Sequence, residues 1–103
     1  MQSENKFNIY IGLLKSNMQT ALNGEMVLNS VEAQLKNIGV IGFNSENIKG
    51  FWNGEPEPAL KISFINTFGV KTKDILKVLE NLKTELEQES ILIEQEQVLY
   101  NFV

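Results

Sequence analysis

Asn53-Gly54, near the middle of the chain, is the feature that most restricts the fold. Asn-Gly adopts positive φ at little cost, and between two strand-like patterns it signals a hairpin. Residues 48–52 and 59–65 supply those patterns. In the second, Leu60, Ile62 and Phe64 alternate with Lys61, Ser63 and Ile65. In the first, Ile48, Gly50 and Trp52 share one face, while Lys49 and Phe51 look the other way. Pro56 and Pro58 cannot donate to a ladder, so the predicted loop runs from Asn53 to Pro58. Trp52, Asn53, Gly54 and Glu55 then form the bend, with Trp52 expected to pack beside Leu60 or Ile62 in the core.

Each side of this hairpin carries one helix and one further strand. Phe7, Ile9, Ile11 and Leu13 fall on one face of a strand over residues 7–13, with Asn8, Tyr10 and Gly12 on the other. Val27, Val31, Leu35 and Ile38 recur at helical spacing over residues 24–37; Asn23 is placed to cap the start and Gly39 to stop the end. A second helix is predicted over residues 73–88, capped by Thr72, with Ile75, Leu79, Leu82 and Leu86 as its buried stripe. The tail is strand-like, but its apolar phase is odd-numbered at Ile91 and Ile93 and even-numbered at Val98, Tyr100 and Phe102. A bulge or break is therefore expected between Glu94 and Gln97.

Strand, helix, strand, strand, helix, strand is the split βαβ order of the ferredoxin-like α+β sandwich. Two helices would cover one face of an antiparallel sheet ordered 4-1-3-2. The 103 residues are expected to form one domain, 1–103, with a core large enough to need no staples.

Composition narrows the chemistry. Cys and His are absent, which removes disulfides, thiolate metal sites and the commonest general base. All nine basic residues are Lys, so no guanidinium fork is available to grip phosphate or guanine. The net charge is −4, and no binding to nucleic acid is expected. The apolar run after the polar start is too short for a secretory or membrane-spanning segment, so a cytoplasmic, membrane-free protein is expected. Twelve Glu and one Asp are the only abundant catalytic currency. The pairs Glu55/Glu57 and Glu94/Glu96 read as solvated surface rather than as metal ligands. No glycine-rich phosphate cradle is present. The expectation is a non-enzymatic domain with no catalytic, cofactor or metal site.

The sheet face away from the helices is expected to carry Tyr10, Phe51 and Ile65, joined by Leu92 and interspersed with Lys49, Lys61, Asn8 and Ser63. A half-apolar face of this kind favours a covering partner, most simply a second copy in a dimer. The leading expectation is a protein-interaction domain that self-associates through its sheet. The alternative is a regulatory domain binding a small ligand or metal.

Ile11-Gly12-Leu13, Gly50-Phe51-Trp52-Asn53-Gly54, Glu57 and Leu60-Lys61-Ile62 together resemble a set of small uncharacterised proteins of phages, mobile elements and low-GC bacteria. The Trp52-Asn53-Gly54 hairpin is also similar to that of CutA-type divalent-cation tolerance proteins, which implies a ferredoxin-like fold and an oligomer. This chain lacks that family's Leu-Ala-Ala-Cys stretch before the hairpin.

Overall fold

The computed structural model describes residues 1–17 and 20–103, with Trp52 described in its backbone only. The elements are β1 (Gln2–Gly12), α1 (Gly24–Asn37), β2 (Asn44–Trp52), β3 (Glu55–Ile65), α2 (Thr72–Glu85) and β4 (Leu92–Tyr100). The four strands form an antiparallel sheet in the order β2-β3-β1-β4, which is 4-1-3-2 read from the other edge. Both helices pack on one face. This is the ferredoxin-like α+β fold that the element order predicts.

Periodicity explains the core. Phe7, Ile9 and Ile11 of β1 and Leu60, Ile62 and Phe64 of β3 point at the helices and are buried. They meet Val27, Val31 and Leu35 from α1 and Ile75, Val78, Leu79, Leu82 and Leu86 from α2 and its end. Asn23 caps α1 as predicted, its Oδ1 accepting from the Glu25 and Met26 amides at 3.0 and 3.1 Å. Thr72, by contrast, is already inside α2. The N-cap position falls to Lys71, which makes no side-chain cap bond. The approach to that helix is held instead by buried Asn66, which donates to the Val70 carbonyl (2.8 Å) and accepts from the Val70 amide (3.1 Å).

Three local expectations are corrected. The hairpin loop is two residues long, because Asn53 and Gly54 both take positive φ (50° and 79°) and Trp52 pairs with Glu55. Pro56 and Pro58 therefore lie within β3. In a ladder closed by the 52–55 pair, positions 56 and 58 direct their backbone polar groups away from β2. They face the end of β1 instead, where the Pro58 carbonyl accepts from the Leu13 amide at 2.9 Å.

The same short turn reverses the predicted phase of β2. Ile48 pairs with Ala59 and Gly50 with Glu57, so these residues face away from the helices. Phe51 belongs with Ser45, Asn47 and Lys49 on the helix side, but it lies beyond helix cover and is 69% exposed. Sequence alternation misled because β2 is an edge strand whose helix-side positions are all exposed. The expected core position of the Trp52 side chain lies outside the described residues.

Finally, β4 has no bulge. Its register with β1 is unbroken from Tyr10–Leu92 to Gln2–Tyr100. Beyond the Lys6–Ile65 pair, β1 and β4 continue as a ribbon without β3. There the helix-side positions Gln97 and Leu99 are exposed, so the apolar phase can change without breaking the strand.

Candidate functional site: a cleft at the end of β1

The sheet face opposite the helices is more polar than the sequence suggests, and its polar groups are bridged. Asn8, which is buried, donates to Glu96 Oε1 (3.2 Å) and accepts from Ser63 Oγ (3.0 Å). The Tyr10 hydroxyl donates to Glu94 Oε1 at 2.7 Å. That bond, with some desolvation and the charges of Glu94, Glu46 and Glu96, pushes the Tyr10 phenol up to about 12. Lys61 stands over the Tyr10 ring, 5.7 Å from its centroid, and reaches Glu46 at 3.7 Å.

Toward the end of β1 this bridged surface opens into a cleft of about 260 Å³. Its floor is Tyr10 and Gly12 of β1, Glu57 and Ala59 of β3, and Ile48 and Gly50 of β2. One wall is the segment after β1, with Lys15 and Ser16; the other is the link from α2 to β4, with Gln88, Glu89, Ser90 and Leu92. The two walls are strapped together. Ser16 N donates to the Glu87 carbonyl (2.8 Å), Gln88 Nε2 donates to the Leu14 carbonyl (2.8 Å), and the Lys15 ammonium pairs with the Glu87 carboxylate.

Glu57 is the carboxylate of the floor. It is half-buried, and no hydrogen-bond donor or cation among the described residues meets its carboxylate. The carboxylate lies across β1 at Gly12. A Cβ on Gly12 would overlap a Glu57 carboxylate oxygen, come within 2.9 Å of its carbon, and stand 3.4 Å from Gln88 Oε1. Gly12 is thus the notch that lets Glu57 lie down in the cleft.

Of the residues singled out in the sequence, Tyr10 and Leu92 border this cleft on the open face, Leu92 being 59% exposed, and Phe51 also borders it although its ladder position is a helix-side one. Ile65 sits far along the sheet opposite Lys6, half-buried and apart from them. Asn53, Gly54 and Glu55 are exposed at the hairpin tip and do not line it. Gly12, Glu57 and Gln88 were not anticipated as a group. Pairing the chain through a two-residue Asn-Gly turn would have placed Glu57 opposite Gly50 and one step from Gly12. Among the described residues, no group of three or more Asp or Glu gathers to hold a metal, and no helix is long and apolar enough to cross a membrane.

No family model matches the chain, and no curated protein does. Solved structures do resemble it. A phage SAM lyase in its apo state superposes with a TM-score of 0.74 at 20% identity, covering 92% of this chain and 81% of that one. The phage SAM lyase in complex with S-methyl-5'-thioadenosine gives 0.70 at 19%, covering 90% and 80%. A DUF3240-family protein from Shewanella baltica gives 0.61 at 12%, covering 100% and 98%. The B. subtilis GlnK–ATP complex gives 0.56 at 16%, covering 95% and 85%. At these identities the likeness establishes the shared fold. It agrees with the resemblance to small phage and uncharacterised proteins and does not show a CutA-type protein.

One expectation is overturned. The chain was expected not to be an enzyme, yet a protein that shares this fold over most of its length is a lyase. A catalytic role is therefore open to this chain, and the lack of His, Cys and Arg does not close it.

Proposed function

We propose that the protein binds S-adenosylmethionine in the cleft at the end of β1 and cleaves it as a lyase. The observation that carries this reading is Glu57, an unpartnered, half-buried carboxylate in a cleft that offers no free cation among its described residues. Two of the structures described above hold an adenosine-containing molecule, S-methyl-5'-thioadenosine in one and ATP in the other. Charge separates these ligands. A triphosphate would enter a site with Glu57 and Glu89, with no Arg in the chain, and with Lys15 committed to Glu87. S-Adenosylmethionine carries a sulfonium and an ammonium against one carboxylate, so its net charge is complementary to the site.

The chemistry also suits a chain without a strong nucleophile. A sulfonium is already a good leaving group. The carboxylate of the substrate's own amino-acid arm attacks its γ-carbon as the carbon–sulfur bond breaks. The electron pair passes to sulfur, releasing neutral S-methyl-5'-thioadenosine and 2-amino-γ-butyrolactone. No water, proton or protein nucleophile is consumed. The protein has only to hold the arm folded, and well-oriented intramolecular reactions gain a large share of their barrier in this way.

The cleft is smaller than the roughly 300 Å³ at which small-molecule sites begin. We infer that a second copy of the chain, packed against the sheet face beside Tyr10 and Leu92, completes it. Binding is tested with the aza analogue of S-adenosylmethionine, in which nitrogen replaces sulfur so that the arm cannot leave. Calorimetry should show binding of this analogue and none of ATP, with affinity falling roughly ten- to hundredfold in Glu57→Gln, the loss of one charge-assisted contact. Preference for ATP, or equal affinity in Glu57→Gln, would contradict the reading.

A further inference from the structure

We propose that Gln88 and Glu57 form an acceptor-only socket over Gly12 that receives the protonated primary amine of the ligand. This inference rests on the reading of the cleft as an S-adenosylmethionine site and names the group each residue recognises. The backbone sets the position of Gln88. Glu87 takes φ of 52° and ends the helical run; its amide donates to the Thr84 carbonyl (3.2 Å) and the Gln88 amide to the Lys83 carbonyl (2.9 Å). This is the Schellman closure of a helix C-terminus, and it fixes where the Gln88 side chain starts.

The side-chain amide is then oriented by its nitrogen. Nε2 donates to the Leu14 carbonyl at 2.8 Å and more weakly to the Leu86 carbonyl at 3.4 Å. The flipped amide would set oxygen against two carbonyl oxygens, so the assignment is decided by its partners. Oε1 is consequently turned to the Gly12 notch, where the Glu57 carboxylate also lies. Neither oxygen has a donor among the described residues. Two acceptors converging on one point, one of them ionised, call for a cationic group with several N–H bonds. A primary ammonium has three.

The reaction itself favours the ammonium over the sulfonium as the group met by Glu57. The sulfonium charge disappears as the carbon–sulfur bond breaks, so a carboxylate beside it would stabilise the ground state more than the transition state. The ammonium charge persists throughout. A socket that grips it anchors the arm at no cost to the chemical step. Gln88 thus acts as a specificity-determining residue, and Gly12 as the notch that admits both acceptors.

The test compares two aza analogues of S-adenosylmethionine, one with the α-amino group and one with hydrogen in its place, on the wild type and on Gln88→Met. Calorimetry should show the wild type preferring the amine-bearing analogue roughly a hundredfold or more, with Gln88→Met lowering that preference about tenfold and leaving the share that Glu57 supplies. Any loosening of the strap to Leu14 would weaken both analogues alike and drop out of the ratio. A wild type that binds both analogues equally, or a Gln88→Met variant that keeps the full preference, would overturn the socket while leaving the ligand reading standing. A wild type that binds neither would overturn both.

Discussion

Replacing Gly12 by alanine separates the stability of this fold from the work of its cleft. The φ of Gly12 lies outside the left-handed region, so the backbone accepts an L-residue without strain. The added Cβ meets the Glu57 carboxylate and, at 3.4 Å, Gln88 Oε1; no backbone atom is among its nearest contacts. Glu57 is a flexible side chain at a half-buried position, so it can swing out toward solvent. The folded state then loses little, while the unfolded chain loses glycine's conformational freedom. That effect is worth about 0.4–1 kcal/mol in favour of folding. For a domain near this size it corresponds to a melting temperature roughly 2–6 °C higher. Ligand affinity should move the other way. Expelling Glu57 removes a charge-assisted contact worth about 1.5–3 kcal/mol, roughly ten- to hundredfold in the dissociation constant. Thermal melts followed by circular dichroism, with calorimetry of the aza analogue, read both quantities on one preparation. A variant more stable than the wild type and as tight a binder would refute the claim that the notch positions Glu57. A variant destabilised by more than about 1 kcal/mol would refute the claim that only Glu57 gives way.

Two further predictions concern the sheet face. The Tyr10 phenol, held up near 12 chiefly by its bond to Glu94, should titrate closer to 10 in Glu94→Gln, read by tyrosinate absorbance in a Tyr100→Phe background; an unchanged midpoint would show that Glu94 is not the cause. Because its pKa is raised on folding, this group's contribution to stability is fully present below pH 10 and is lost as pH rises through about 12. The wild type should sediment as a closed oligomer at micromolar concentration, and Leu92→Glu should shift it toward monomer with unchanged circular dichroism. A monomeric wild type would contradict completion of the cleft by a second copy.

Much of the fold is legible in the sequence because burial is one-sided wherever helices cover the sheet. Phe7, Ile9 and Ile11, or Leu60, Ile62 and Phe64, can face only one way. The same reasoning fails on β2 and the far half of β4, where neither face is deeply buried and the apolar pattern carries no directional information. Ile48 looked like a core residue; it is half-buried because it floors the cleft. The cleft was harder to read for a related reason. Glu57 appears as one of two carboxylates flanking a proline, and Gly12 as the weak end of a strand. Their meeting depends on a two-residue turn and on cross-strand register, and Gln88 joins them only through the closure of α2. Counting absent residue types removed Cys as nucleophile and His as base, but it has no bearing on a reaction whose nucleophile belongs to the substrate.

The measurement that bears most directly on the account is a time course of S-adenosylmethionine with purified protein, followed by chromatography of its products. Disappearance of substrate should be matched mole for mole by S-methyl-5'-thioadenosine and 2-amino-γ-butyrolactone, without added metal or cofactor, and at substrate well below saturation Glu57→Gln should be slower by at least tenfold because it binds less. Intact S-adenosylmethionine after prolonged incubation with folded, binding-competent protein would contradict the proposed activity.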